Sequence, residues 1–214
     1  MEGLRGARVS GLRELKKERT RRTLSETAIE LFLEKGFDAV SVAEIAAAAE
    51  VSKPTLFRYF PTKEDLVLYR FSDHEEEAAE VVAGRPAGTS PLDALQAYFL
   101  DGLERRDPVT GLCDVAVVLA FQRLVFGTPA LVARLYGYIG RTESALGEAL
   151  AGASGGDPLR ARLAGGQIAA VLRILAEENV RRIAAGESAD AVYGDAVEAT
   201  KAAFRTLREG LPYG

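Results

Sequence analysis

Apolar residues recur at three- and four-residue intervals along most of the chain. The first stripe consists of Leu24, Ala28, Leu31 and Phe32, and the next consists of Val42, Ile45, Ala46 and Ala49. This spacing places the apolar side chains on one face of a helix. No segment shows the alternation of apolar and polar residues that is typical of a strand, and no repeat is evident. The pattern predicts an all-α protein with about nine helices.

Residues that cap or break helices indicate where the helices begin and end. The predicted N-terminal caps are Ser41, Ser52, Ser90, Asp157 and Ser188. Thr62 and Asp65 form a further capping pair at the start of one long helix, which we extend to about Val82. The apolar run 113–126 is long and does not alternate, so it is predicted to be a buried helix.

Charge is distributed unevenly along the chain, although the formal net charge is only -4. Residues 4–22 contain eight basic and two acidic groups, a local net charge of +6. Residues 73–214 contain 14 basic and 20 acidic groups, a net charge of -6. A basic N-terminus on an acidic body is typical of a protein whose N-terminus binds a polyanion. The alternative interpretation is a solvated, disordered tail.

Composition limits the classes of protein to which the chain can belong. The single cysteine, Cys113, excludes an internal disulfide and suits a reducing compartment, and we expect it to be buried as a small apolar residue. No apolar run approaches the roughly 18 residues of a membrane span. The N-terminus lacks the apolar region of a secretory signal. We therefore expect a cytoplasmic protein.

The sequence contains few groups suited to catalysis or metal binding. His74 is the only histidine, and its acidic neighbours Glu75 to Glu77 favour a solvated helix surface over a metal site. One histidine in that position cannot complete a nucleophile–histidine–acid set. No glycine-rich phosphate loop follows a strand. We expect no metal, no cofactor and no enzymatic activity.

The segment "VSKPTLFRYF" at 51–60 divides into two faces on a helical wheel. The apolar face consists of Leu56, Phe57 and Phe60. The opposite face consists of Pro54, Thr55, Arg58 and Tyr59, with Lys53 at its edge. A guanidinium, a hydroxyl and a phenol suit base edges and phosphate oxygens, and a short helix tightly joined to its predecessor is a helix-turn-helix. The alternative is an ordinary short surface helix.

Residues 20–70 resemble the N-terminal domain of the TetR family of transcriptional regulators. The similarity lies in the segment "AIELFLEKGFDAVSVAEIAAAAEVSKPTLFRYFPTKEDLVLYRF". Within it, the glycine–phenylalanine pair, the "S-x-x-E-I-A" helix, the "V-S-x-x-T-L-F-x-Y-F" helix and the following "K-E-D-L" occur at the family's spacings. The resemblance implies a DNA-binding helix-turn-helix domain over 20–70 and a helical ligand-binding and dimerisation domain over 71–214. The charge distribution adds a basic arm over 1–19, longer than the family's motif needs.

The resemblance also implies a role for each matching residue. The residues implied to approach the major groove are Lys53, Pro54, Thr55 and Arg58. The residues implied to contact phosphates or to cap helices beside the DNA backbone are Ser41, Ser52, Tyr59 and Lys63, whereas Leu56, Phe57 and Phe60 would be core. Pro54 stands where the family often has glycine, and Val42 stands where a threonine often reaches phosphate. The usual backbone contact at position 54 and phosphate contact at position 42 are therefore not carried over.

The region after the linker "AGRPAGTSP" at 83–91 is rich in leucine, valine, alanine and aromatic residues. A helical bundle of this composition can enclose an apolar cavity, so we expect a largely apolar effector. The candidate ligand-binding residues are Phe99, Phe121, Gln122, Tyr136 and Asn179. Each has an ordinary alternative, because the aromatic rings would also suit a core and the two amides could be exposed or satisfied locally.

Small residues recur on the last two predicted helices, at about 158–184 and 189–209. They are Gly165, Gly166, Ala169, Ala170, Ala196, Ala199 and Ala203. Small side chains allow helices to approach closely, so we expect these helices to form a four-helix interface in a homodimer. A two-fold dimer would present two DNA-binding helices to an inverted-repeat operator. The alternative is that both helices bury these residues within one monomer.

Taken together, these features predict a dimeric, ligand-responsive DNA-binding repressor that a small apolar effector releases from its operator. Two other classes of protein remain open at this stage. One is a helical small-molecule carrier or enzyme that uses the N-terminal domain only for packing. The other is a protein–protein interaction module. Binding to duplex DNA distinguishes the regulator from both.

Overall fold

A computed structural model of the chain describes residues 3–72, 74–154 and 157–210, with side chains from residue 15 onward except that of Ser154. The described residues form ten α-helices and one 3-10 helix, with no strand. The first five are α1 (Gly3–Lys35), α2 (Val42–Ala48), α3 (Lys53–Tyr59), α4 (Lys63–Ser72) and α5 (Glu77–Gly84). The others are α6 (Pro91–Glu104), α7 (Ala116–Gly127), α8 (Pro129–Ser154), α9 (Pro158–Ala184) and α10 (Ala189–Glu209), with the 3-10 helix at Pro108–Thr110. The all-α prediction is confirmed.

Helix α1 is longer than the sequence pattern suggested. It begins at Gly3, so the backbone of the predicted arm belongs to the helix and is not a disordered tail. Residues 12–19 are all good helix formers, and Glu18 precedes Arg22 by four residues, the favourable order for an ion pair on a helix. The helix ends at Lys35, and the left-handed φ of 87° at Gly36 is typical of a glycine that follows a helix.

The predicted long helix from position 62 to Val82 is wrong, since two helices occupy this region. Helix α4 ends at Ser72, and α5 begins at Glu77. In the intervening segment, Arg141 of α8 donates hydrogen bonds of 2.8 and 2.9 Å to the two carboxylate oxygens of Glu75. The His74 ring lies 2.7 Å from the Glu77 carboxylate. These contacts favour a turn where the local sequence alone would continue a helix, and they account for ten helices where about nine were predicted.

Helix α7 is less buried than predicted. It begins at Ala116 instead of position 113, and Val125 is its fully buried residue, whereas Val117 is 61% exposed and Phe126 is 48% exposed. Cys113, which precedes the helix, is buried as expected. Among the described residues, no single helix is long and apolar enough to cross a membrane, although the bent pair Ala116–Gly127 and Pro129–Ala153 meets that criterion by length and composition.

The chain folds into two compact units. Unit 1 contains the residues up to Arg70 together with Phe121–Arg134. Unit 2 contains Phe71–Ala120 and the residues from Leu135 onward. The sequence analysis assigned 121–134 to the second domain, but this segment groups with the N-terminal helices in unit 1.

The core of unit 1 joins α1 to α4. Leu66, Val67 and Leu68 are all fully buried. The Ser25 hydroxyl donates a 2.7 Å hydrogen bond to the carbonyl oxygen of Leu66, so the buried hydroxyl of α1 is satisfied by the backbone of α4. This contact fixes the position of α4 relative to the first helix.

Unit 2 is a helical bundle with two apolar clusters. One surrounds Val82, Leu95 and Phe204, and the other surrounds Leu103 and Val192. Helices α8 and α9 approach closely where Gly147 faces Gly165. A Cβ atom at Gly165 would lie 2.8 Å from the backbone nitrogen of Gly147, closer than real Cβ contacts. The crossing therefore requires glycine at position 165.

Candidate nucleic-acid interface

Helices α2 and α3 are joined by a short turn with a defined hydrogen-bond pattern. The N–H of Val51 donates to the carbonyl of Ala46 at 2.9 Å, and the N–H of Glu50 donates to that of Ala47 at 3.1 Å. These two bonds form a Schellman motif. Glu50 adopts the left-handed conformation that the motif requires, with φ of 54°, although glycine is more common there. The arrangement is a helix-turn-helix.

Serine residues cap both helices of the motif, as predicted. The Ser41 hydroxyl accepts a 3.2 Å hydrogen bond from the N–H of Glu44. The Ser52 hydroxyl accepts one of 3.2 Å from the N–H of Thr55 and lies 2.8 Å from the Thr55 hydroxyl. Both caps fix the start of a helix. Contacts from Ser41, Ser52 and Thr55 to DNA remain predictions.

Helix α3 is attached to unit 1 by its apolar side. Leu56 is fully buried, and Phe60, which follows the helix, is 4% exposed and packs edge-on against Tyr69 with ring centroids 5.5 Å apart. The exposed residues of α3 are Lys53, Pro54, Phe57 and Arg58, and the partly buried ones are Thr55 and Tyr59. The predicted polar residues of α3 therefore lie on or beside its exposed side.

The predicted core position of Phe57 is wrong. Its side chain is 46% exposed. Leu56 and Phe60 lie four residues apart and occupy the side of α3 that faces the domain, whereas Phe57 lies three residues after Pro54 and next to Arg58. The wheel grouped three apolar residues in one arc, but only two of them reach the core. An aromatic ring thus belongs to the exposed surface of α3.

Lys63 has a partner within its own domain. Its Nζ donates to the carbonyl oxygen of Phe37 and lies 4.2 Å from the centroid of the Phe37 ring. The ring of Phe32 is 5.2 Å away. A lysine held by a carbonyl and two aromatic faces stabilises the helix arrangement. Its predicted phosphate contact is not tested by this geometry and stays a prediction.

The start of α4 is fixed by a buried carboxylate. Asp65 accepts a 3.2 Å hydrogen bond from the N–H of Thr62, and its own N–H donates to the Thr62 hydroxyl at 3.2 Å, which is the predicted capping pair. Arg134, near the start of α8, donates to the other Asp65 oxygen at 2.9 Å. Two segments of unit 1, the start of α4 and the start of α8, thus meet at Asp65.

Unit 1 carries exposed basic residues outside the motif as well. The exposed basic residues near the middle of α1 are Lys16, Lys17, Arg19 and Arg22. The side chains of the other predicted basic residues at this end, Arg5, Arg8 and Arg13, lie outside the described residues. Exposed cations of this kind contribute long-range attraction for a polyanion and carry no sequence preference.

The five predicted ligand-binding residues differ in burial and in their local contacts. Phe99 is 4% exposed and belongs to an apolar cluster. Asn179 is buried, and its side-chain N–H donates a 2.9 Å hydrogen bond to the Thr110 carbonyl. Phe99 is therefore a core residue, which is the alternative left open for the aromatic rings. The side-chain amide of Asn179 is satisfied by a hydrogen bond within the chain. Phe121 and Gln122 are partly buried on α7, and Tyr136 is 65% exposed on α8.

Unit 2 also contains an open groove of about 590 Å³ between α5 and α6. Its walls include Glu77, Val81, Arg85 and Tyr98, and none of the predicted ligand-binding residues line it. The Tyr98 hydroxyl donates a 2.5 Å hydrogen bond to Glu77. Burial and this hydrogen bond raise the pKa of Tyr98 well above its ordinary value, so the phenol remains a donor. Sequence periodicity gave no signal for this groove, because adjacent helix surfaces create it.

The part of the chain that the structure describes holds no group of three or more His, Cys, Asp or Glu side chains arranged to bind a metal ion. His74 lies beside Glu77 and is partly buried, and that pair is too small a donor set for the usual structural metal site.

Residues 24–69 match the family described as bacterial regulatory proteins, tetR family. The matched segment contains the last third of α1, the whole α2–turn–α3 motif and most of α4. The predicted resemblance is therefore confirmed for the helix-turn-helix domain.

Two transcriptional regulators are similar in sequence to a longer part of the chain. It is 40% identical over 134 residues to the HTH-type transcriptional regulator TcmR of Streptomyces glaucescens. The aligned residues make up 62% of this chain and 58% of TcmR. It is 33% identical over 95 residues to the HTH-type transcriptional repressor KstR of Rhodococcus jostii, covering 44% of each protein. The chain thus spans less than two thirds of the length of either relative.

The fold is similar to that of NalD from Pseudomonas aeruginosa, described as the secondary repressor of the MexAB-OprM multidrug efflux pump. The TM-score is 0.56, and the superposition covers 87% of this chain and 97% of NalD. Sequence identity is 20%, so this likeness concerns the fold alone.

Proposed function

We propose that this chain, which carries the helix-turn-helix domain of the TetR family, is a transcriptional regulator that binds duplex DNA through α3. The observation that carries the proposal is the exposed surface of α3, where Lys53 and Arg58 are free of intramolecular ion pairs among the described residues. Leu56 is fully buried and attaches the inner side of α3 to unit 1, so Lys53 and Arg58 are presented on a rigid element. The name of the relative KstR, a transcriptional repressor, supports repression over activation.

The side chains of the proposed interface differ in the part of the DNA that each can contact. Arg58 can donate two hydrogen bonds to one guanine edge in the major groove, the commonest specific contact of an arginine. Lys53 and Tyr59 flank it and suit phosphate oxygens. The exposed cations of α1 add attraction that does not depend on sequence. This combination of contacts supports a site-specific DNA-binding protein.

We further propose a homodimer through α9 and α10. Gly165, Ala169 and Ala196, which the sequence analysis offered for the interface, are buried within the chain itself. A different row on α9 faces outward and consists of Leu159, Leu163, Gly166, Ala170 and Ile174. Leu159, Leu163 and Ile174 are each more than half exposed. An exposed apolar row of this length is typical of a helix that packs on a second copy.

Sedimentation at micromolar concentration tests the dimer. The parent should sediment as two chains, whereas Leu163→Glu, which buries a charge in the proposed interface, should sediment as one. Val117→Glu is the matched control, because Val117 is 61% exposed and lies on α7. A parent mass of one chain would remove the dimer from the proposal.

We also propose that a small, largely apolar effector releases the protein from its operator. Among the predicted polar contacts, Gln122 is the first to test, because the amide of Asn179 is already satisfied. The effector must bind the DNA-incompetent state more tightly, since equal affinity for both states shifts nothing. Operator affinity measured against a panel of hydrophobic metabolites tests this step.

Selection from a library of genomic fragments tests the regulatory function. The full chain should enrich a small set of fragments that share one inverted repeat. Arg58→Ala should lose this enrichment while it retains weak binding to bulk DNA. A carrier, an enzyme or a protein–protein module would enrich no sequence.

A further inference from the structure

We infer that Phe57 is a specificity-determining residue that contacts the C5-methyl group of a thymine in the operator. The inference rests on the proposed function, but the structural observation behind it is separate. Phe57 was expected in the core, and it lies instead on the exposed surface of α3, 46% exposed. Core packing therefore does not explain why a large aromatic side chain occupies this position.

The neighbours of Phe57 define a small mixed surface. Pro54 precedes it by three residues and is also exposed, so the two form an apolar patch on adjacent turns of α3. Lys53 precedes Phe57 by four residues, and Arg58 follows it directly, and both are exposed. The patch is thus bordered by two cations. This charge favours a polyanion as the occupant over an uncharged apolar protein surface.

The chemistry of a phenyl ring selects the contact within the duplex. Phe57 has no hydrogen-bond donor or acceptor, so it can satisfy neither a phosphate oxygen nor the polar edge of a base. The major groove presents one apolar group, the C5-methyl of thymine, and apolar side chains including phenylalanine contact it. A ring between Pro54 and Arg58 therefore suits a thymine next to the base pair that Arg58 contacts.

Removal of a single methyl group from the DNA tests this contact directly. The parent chain first selects its preferred duplex from a random pool. Each thymine of that duplex is then replaced in turn by deoxyuridine, which lacks only the C5-methyl. At one thymine of each half-site the parent Kd should rise about fourfold, as expected for the loss of one buried methyl group. Phe57→Ala should bind the thymine duplex more weakly and show no difference between thymine and deoxyuridine at that position.

Two further variants separate this role from a structural one. Phe57→Leu keeps an apolar side chain and should retain part of the discrimination between thymine and deoxyuridine. Phe126→Ala removes a phenylalanine that is 48% exposed on α7, and it should change neither affinity nor discrimination. If Phe57→Ala lowers the melting temperature, discrimination between thymine and deoxyuridine is compared between the parent and Phe57→Leu instead.

Each outcome decides between the inference and the function on which it rests. A parent that enriches no duplex would overturn the proposed function and the inference together. A parent that enriches a duplex but tolerates deoxyuridine at every thymine would overturn the inference alone. The inference would also fail if deoxyuridine weakened Phe57→Ala as much as it weakens the parent.

Discussion

Arg134 of α8 and Asp65 of α4 form an ion pair in which two guanidinium nitrogens each lie 2.9 Å from the same carboxylate oxygen. The side chain of Asp65 is 9% exposed, whereas that of Arg134 is 50% exposed. The other oxygen of Asp65 caps α4 through Thr62. One buried carboxylate therefore joins the start of α4, which follows α3, to a segment almost 70 residues further along the chain.

Arg134→Gln should lower the free energy of unfolding by about 1–2 kcal/mol. Removal of one partner from a buried ion pair costs about 3–5 kcal/mol, and the half-exposed guanidinium reduces that cost. The matched control is Arg173→Gln, which removes a partly exposed arginine that lies 2.8 Å from Glu177, its neighbour on α9. That control should change stability by less than about 0.5 kcal/mol. Urea denaturation measures both, and equal effects would contradict the role assigned to Asp65.

Arg58→Ala should weaken binding to the selected duplex by about 1–3 kcal/mol, roughly fivefold to 150-fold, because a bidentate base contact is lost. Discrimination among bases should relax at one position of each half-site. Arg105→Ala is the control, since Arg105 is an exposed arginine in unit 2. Fluorescence anisotropy with single-base variants measures both. Unchanged discrimination in Arg58→Ala would mean that this guanidinium does not contact a base.

Lys63→Met and Lys53→Met should differ in stability and in salt dependence. Lys63 is bonded to the Phe37 carbonyl, so its removal should lower the free energy of unfolding by about 1 kcal/mol. Lys53 is exposed at the start of α3, so its removal should reduce the salt slope of DNA binding by about 0.9 per chain. A full reduction in slope for Lys63→Met, without loss of stability, would show that Lys63 turns to a phosphate in the complex.

Gly165→Ala should destabilise unit 2 by about 1–3 kcal/mol, because its methyl group would overlap the backbone of Gly147. Gly140→Ala is the matched control on α8, where a Cβ meets nothing within 4 Å. An alanine in an open helix position should stabilise the protein by up to about 1 kcal/mol. Thermal unfolding with a calorimeter measures both changes. A neutral Gly165→Ala would mean that α8 and α9 separate easily.

Local features of the sequence predicted the helix-turn-helix well. Ser41 and Ser52 cap their helices as predicted because a cap depends on residues only three positions apart. The turn between them gave a weaker signal, since Glu50 occupies a left-handed position where glycine is more common. Leu56 is buried as its spacing indicated. The motif was predictable because it is built from short-range contacts.

Features that depend on distant contacts were not predictable. The break between α4 and α5 contains no glycine or proline, and it is accompanied by a hydrogen-bonded pair between Glu75 and Arg141, 66 residues apart. The wheel could not show that Phe57 lies outside the core, because that depends on which neighbours Leu56 meets. The surroundings of Asn179 were not predictable for the same reason, since its hydrogen-bond partner is Thr110, 69 residues away.

The most direct measurement is the affinity of the full chain for its selected duplex and for a scrambled duplex of the same composition, over a range of salt concentrations. The account predicts at least a thousandfold preference for the selected duplex at physiological salt, together with a log–log salt slope of several units. Arg58→Ala should lose most of that preference and keep most of that slope. Equal affinity for the two duplexes at every salt concentration would contradict the account.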